Sequence, residues 1–288
     1  MVCASFLWGR VKEMNATTIF VHGFNGNADS TDHLIHGAQK SGWAQKALVV
    51  KIKSNGAMVF EGKLDVQAPN PMVQVLFENN RAPERRQVRW MHQLLLELKE
   101  RFGVEQYNGV GHSLGSNVLV NLAIKFGMDT RLPALKKLVT IAGPFNGLHG
   151  FLSTDTVRDV IAKSWTPSKR THHFKKLVRR RHFFPKNVDV LNVIGSVDGI
   201  LSNDAYVSVD SARAVGYLLD GVAARVSELM VVGPDGYHCE LNRSQNVSRE
   251  INQFLWNENY VMKDFKLINS YQANKVYQLP QEEFDLAN

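Results

Sequence analysis

Short β-branched runs alternate along the chain with longer stretches whose apolar residues recur every three or four positions. Thr17-Thr18-Ile19-Phe20-Val21 is the first such run and ends at a Gly-containing turn, the pattern of a buried strand. Residues 47–52, 106–111, 137–142, 188–194 and 228–232 repeat that character and predict further strands. Between them, residues 86–102 carry Val88, Met91, Leu94, Leu95 and Leu98 at helical spacing. Residues 117–126, 207–219 and 247–256 read as helices too. Strands alternating with helices predict an α/β fold with a mostly parallel central sheet and helices on both faces. Residues 59–77 break the rhythm. Val73, Val75 and Phe77 alternate with Gln74 and Leu76, and Pro69-Asn70-Pro71 supplies a turn, so a small extra hairpin is expected near the sheet edge. No linker separates two cores. A single domain is expected over residues 1–288, with a polar, loosely docked tail over about 265–288.

Composition narrows the class. Of 288 residues, 44% are hydrophobic and 21% charged, which excludes a disordered chain. No apolar run approaches the ~18 residues of a membrane span. Ala4-Ser5-Phe6-Leu7-Trp8 is too short for a secretory apolar region and no small-residue cleavage site follows it, so a cytoplasmic protein is expected. Two cysteines, Cys3 and Cys239, make no disulfide framework. The net charge of +7 is largely local, because eight of the basic residues lie between Lys169 and Lys186 with no acidic residue among them. No nucleic-acid motif accompanies that charge, so nucleic acid is not an expected partner.

The chemistry concentrates in three places. Gly111-His112-Ser113-Leu114-Gly115 fits the nucleophile-elbow pattern, between an expected strand and an expected helix. A serine on so tight a turn projects its hydroxyl into the cleft, and flanking glycines leave room for strand and helix to meet. The Leu114 amide then lies at a helix N-terminus, aimed at a developing oxyanion. His22-Gly23-Phe24-Asn25-Gly26 follows the first strand and can supply a second donor, the Phe24 amide. That glycine-rich loop is no P-loop, since no Lys-Ser/Thr pair follows. His238 sits in a loop after the last strand, where a general base belongs. His112 is expected to pack. His33 and His36 stand one helical turn apart beside Asp32, but no fourth ligand lies near them and no metal site is expected. Cys239 follows His238 directly. On an extended loop its side chain would point away from His238, into the core, and be inert.

These residues, in this order, resemble the α/β-hydrolase superfamily. Within it the chain is similar to a family of uncharacterised hydrolases of Gram-positive bacteria, usually labelled only as a domain of unknown function. The narrower likeness rests on Phe20-Val21-His22-Gly23-Phe24, Gly62-Lys63-Leu64, Asn70-Pro71-Met72-Val73-Gln74-Val75, the elbow, Ile141-Ala142-Gly143-Pro144-Phe145-Asn146-Gly147 and Phe184-Pro185-Lys186-Asn187. It spans roughly residues 15–258. Where members often read Ser-Asp-Gly, this chain has Ser202-Asn203-Asp204-Ala205, which keeps the aspartate and loses the glycine.

The resemblance implies an α/β-hydrolase fold, a helical cap over about residues 144–187, and a Ser–Asp–His triad acting on short-chain carboxylic esters. Ser113 would be nucleophile, His238 base, and the amides of Phe24 and Leu114 the oxyanion donors. The superfamily's chain order of serine, acid, histidine places the acid after the strand 188–194. Asp198 and Asp204 both lie there, and Asp210 follows inside the next helix. The family pattern favours Asp204, with Asp198 as the alternative. Neither cofactor nor metal is required, and the expected partner is a small-molecule ester. The same residues would serve an acyltransferase or thioesterase, and a non-catalytic scaffold is the rival from another class. Residues 172–183 place Phe174, Leu177 and Val178 on one helical face and Lys175, Lys176, Arg179 and Arg180 elsewhere. A solvated helix over the active site is expected there, with attraction of anionic substrates or anionic lipid as the sharper possibility.

Overall fold

The computed structural model describes residues 16–148, 167, 170–197 and 203–271. Nine strands form one sheet in the order β3-β2-β4-β1-β5-β6-β7-β8-β9. The strands are β1 (Thr17–Val21), β2 (Gln45–Ile52), β3 (Met58–Gly62), β4 (Pro71–Phe77), β5 (Gln106–His112), β6 (Ala134–Ile141), β7 (Asp189–Ser196), β8 (Arg225–Val232) and β9 (Phe265–Asn269). Every pairing is parallel except β2 with β3. Six helices flank the sheet among the described residues: α1 (Asp29–Lys40), α2 (Glu84–Phe102), α3 (Leu114–Phe126), α4 (His172–Arg180), α5 (Val209–Leu219) and α6 (Gln245–Trp256).

The inner strands are apolar on both sides because each feeds two cores. In β1, Ile19 and Val21 join the core under α2, α3, α4 and α5, while Phe20 joins the one under α1 and α6. Two layers of helix against one sheet account for the continuous Val/Ile/Leu runs. All the parallel strands point the same way, so the loops that follow them gather at one end of the sheet, where open α/β sheets bind their ligands.

Two expectations require correction. The hairpin exists, but β2 and β3 form it through the turn at Ser54–Gly56. β4 is an inner strand between β2 and β1. Its apparent alternation misleads because the polar member, buried Gln74, is hydrogen-bonded to Thr31 (2.8 Å) and Asp32 (3.0 Å) of α1. The expected tail opens with β9, which pairs in register with β8 from Glu228↔Phe265 to Val232↔Asn269; residues 272–288 lie outside the described ones. The basic helix α4 packs on the body of the fold. Phe174 and Leu177 bury into the core shared with α2 and α3, Thr171 caps the helix, and His173 reaches Glu84 of α2 at 3.3 Å. Lys175, Lys176, Arg179 and Arg180 face solvent, as the helical spacing indicated. The remaining cap residues, 149–166 and 168–169, lie outside the described ones.

Helix α1 was not among the expected elements, because only Thr31, Leu34, Ile35 and Ala38 of its twelve residues are buried. Its His33 and His36 face solvent, while Asp32 turns away from them to Lys46 at 3.2 Å.

Candidate active site

Ser113 joins β5 to α3 with φ 52° and ψ −124°, a conformation that L-residues avoid unless the surroundings impose it. The surroundings are the two glycines. A Cβ on Gly111 would stand 2.6 Å from the main chain of Gly115 and Ser116, and one on Gly115 would strike the Val21 carbonyl oxygen. With no side chain at either position, the first turn of α3 rides directly on β1 and β5. Ser116 completes the clamp. Its hydroxyl donates to the Gly111 carbonyl (2.7 Å) and accepts from the Ile141 amide (3.0 Å), and the Ser113 amide donates to the Ile141 carbonyl at 2.8 Å. This role of Ser116 was not read from the sequence, although a small polar residue just past an elbow is a usable signal.

The loop after β1 meets the serine. A Cβ on Gly23 would lie 2.8 Å from the Ser113 Cβ. Buried His22 fixes the loop: its Nδ1 donates to the Gly23 carbonyl (2.8 Å) and its Nε2 accepts from the Phe77 amide (3.0 Å). That bonding needs a neutral ring, and burial lowers the His22 pKa accordingly. Among the described residues, the amides of Phe24 and Leu114 donate to no acceptor. Both adjoin Ser113, one through Gly23 and the other as its chain neighbour.

The acid–base pair is assembled at the ends of β7 and β8. Asp204 Oδ2 accepts from His238 Nδ1 at 2.7 Å, and Oδ1 accepts from the amides of Tyr206 (2.9 Å) and Val207 (2.7 Å). The Asp204 carbonyl also accepts from the His238 amide at 2.9 Å. Both side chains are buried. With Nδ1 engaged, Nε2 is the nitrogen left to accept a proton. Asp198 lies outside the described residues. Asp210 stands in the first turn of α5, where a helix dipole favours it.

His112 braces this pair against the elbow. Its Nε2 donates to the His238 carbonyl at 3.0 Å, and the two rings lie 4.9 Å apart. Burial pushes the His112 pKa down to about 3, with the neighbouring His238 adding to the shift, so the ring is a neutral strut. No hydrogen bond joins Ser113 to His238 among the described residues; the serine and the Asp204–His238 pair meet through His112. Such a bond commonly tightens only when substrate is bound. Two exposed tyrosines, unforeseen in the sequence, border the base: the Tyr206 ring lies 5.2 Å from His238 and 6.1 Å from Tyr237.

Cys239 is exposed and does not face the core. The loop is not extended there. The amides of Glu240 and Leu241 both return to the Tyr237 carbonyl, so the backbone curls into a turn and Leu241 takes the buried position. Desolvation of the sulfur raises the thiol pKa, which leaves it a poor nucleophile. Among the described residues no three His, Cys, Asp or Glu side chains converge as a metal site, and no helix is long and apolar enough to cross a membrane.

A family model described as "Alpha/beta hydrolase of unknown function (DUF915)" matches residues 9–258. The chain belongs to this family. The DUF915 chain is similar to the product of the gene lin2722 from Listeria innocua, at 28% identity over 88% of this chain and 98% of that one, with a TM-score of 0.78. A protein from Lactobacillus plantarum WCFS1, named as a candidate cell surface hydrolase, shares the fold at 20% identity over 84% of this chain and 92% of that one, with a TM-score of 0.69. Both sources are Gram-positive bacteria. No functionally curated protein matches the chain. The DUF915 assignment makes this protein an α/β hydrolase, with its Asp204–His238 pair and strained serine at the end of the sheet where the loops gather.

Proposed function

We propose that this α/β hydrolase is a serine carboxylester hydrolase, with Ser113 as nucleophile, His238 as general base and Asp204 as the acid that orients it. The observation that carries the reading is the buried 2.7 Å contact between Asp204 Oδ2 and His238 Nδ1, held by His112 next to a serine at φ 52°. His238 Nε2 takes the Ser113 proton as Oγ attacks the ester carbonyl. Asp204 holds the ring in the required tautomer and stabilises the imidazolium that forms. The amides of Phe24 and Leu114 receive the tetrahedral oxyanion, worth about 3–4 kcal/mol for each donor in comparable hydrolases. His238 then returns its proton to the departing alcohol, leaving an acyl-enzyme that water cleaves by the same route.

The test is a fluorophosphonate probe together with p-nitrophenyl esters of graded acyl length. Labelling and hydrolysis by the wild type, both lost in a folded Ser113→Ala variant, are the expected results. Activity near wild type in that variant, or no labelling of the folded wild type, overturns the proposal; the second outcome leaves a non-catalytic scaffold.

A further inference from the structure

A groove of about 650 Å³ opens at the sheet edge between the β2–β3 hairpin and α2. It is separate from the site above, since none of its lining residues belongs to the loops that carry Ser113, Asp204 or His238. Its volume is that of a small-molecule site. The lining is mostly polar; buried Trp90 and half-buried Met58 and Phe60 supply its apolar part. Phe60 stacks beside Phe102 at 5.3 Å and carries the Arg101 guanidinium 4.7 Å above its ring.

The lining holds three arginines and one acid, Glu97, and that acid is already used, as are Glu61, Glu78 and Glu84 of the flanking segments. Glu97 pairs with Arg101 at 2.9 Å, and Glu61 with Lys51 at 2.6 Å. Glu78 accepts from the amide and the hydroxyl of Ser54, both at 2.8 Å. Glu84 turns away to Asn121 (2.7 Å) and His173 (3.3 Å). Arg86 and Arg89, one turn apart on α2, both line the groove, and their side chains make no ion pair or hydrogen bond among the described residues. Two exposed arginine side chains on one wall, without an acidic partner among the described residues and beside Trp90, Met58 and Phe60, leave room for an anion there. Their planar donor forks suit the paired oxygens of a carboxylate or phosphate.

We infer that this groove binds a small anionic amphiphile, its carboxylate or phosphate head on Arg86 and Arg89 and its apolar body on Trp90, Met58 and Phe60. The inference is independent of the activity proposed for Ser113.

Laurate and dodecyl phosphate, each below its micellar concentration, are titrated into the full chain by calorimetry, with dodecyl maltoside as the neutral control. Both an Arg86→Gln/Arg89→Gln variant and a groove-filling Gln93→Trp variant, on exposed positions of α2, are checked for folding by thermal melts. The expected result is saturable binding of at least one anion, absent for the maltoside, weakened tenfold or more in each variant and weakened by salt. Preference for laurate assigns the groove to fatty carboxylates, and preference for dodecyl phosphate to phosphomonoesters. Wild-type affinity in both folded variants, equal binding of the neutral detergent, or no binding of either anion overturns the inference.

Discussion

Asp204 and His238 are bound to each other twice, side chain to side chain at 2.7 Å and His238 amide to Asp204 carbonyl at 2.9 Å. The second contact fixes where the ring stands, and the first fixes which of its nitrogens carries the proton. An amide in place of the carboxylate would keep the position and lose the tautomer. Asp204→Asn is therefore expected to fold, with a melting temperature near wild type, and to lower kcat on a p-nitrophenyl ester by about 10⁴. A kcat within tenfold of wild type would remove Asp204 from the mechanism, and assaying Asp198→Asn alongside it tests the alternative acid.

Beside the acid, Ala205 has φ 83°, a left-handed conformation that costs a residue with a Cβ about 1–2 kcal/mol. Ala205→Gly should relieve the strain and, after glycine's greater loss of chain entropy on folding, stabilise the protein by about 0.5–1 kcal/mol. Urea denaturation at neutral pH measures this. Unchanged or lower stability would mean that the surrounding turn already absorbs the strain.

His112 makes stability depend on pH. Its pKa falls from 6.5 in the unfolded chain to about 3 when buried, so the folded state binds fewer protons. Its contribution is fully present above about pH 6.5 and is lost as the pH falls toward 3. Between pH 7 and pH 5 that loss is on the order of 2 kcal/mol. His22, lowered by the same cause, acts in the same direction. His112→Gln can still donate to the His238 carbonyl but cannot titrate. Its urea stability should fall less between pH 7 and pH 5 than that of the wild type; parallel pH dependences would exclude His112 as the source.

Cys239 is exposed next to the base, yet its thiol pKa is raised. Alkylation by iodoacetamide at pH 7 should be slow, no faster than that of a free thiol, and Cys239→Ser should keep wild-type kcat/KM. Rapid inactivation that Cys239→Ser prevents would show a reactive thiol in the site.

Most of the architecture was legible because burial on both faces leaves continuous apolar runs that composition and length alone mark as strands. β1 and α2 carry that signal clearly, and the elbow is legible because its pentapeptide stands between a strand-like and a helix-like run, with Gly111 required by contact with Gly115 and Ser116 a few residues on. Helix α1 escaped because four buried residues in twelve make a faint stripe. β4 was misplaced because a buried glutamine looks like an exposed one until its partners, Thr31 and Asp32, arrive from another element. Cys239 was misplaced for a related reason: whether neighbouring side chains oppose each other depends on whether the backbone is extended or curled, and the Tyr237 carbonyl decided that. The sequence by itself determined the class of fold, the strained serine and the late histidine, all set by short-range sterics and periodicity. Only the tertiary structure decided that Asp204 reaches His238, that His112 props its main chain, and that the side chains of Arg86 and Arg89 line a groove beside the β2–β3 hairpin with no acidic partner among the described residues, because each depends on segments brought together by the crossing of strands far apart in the chain.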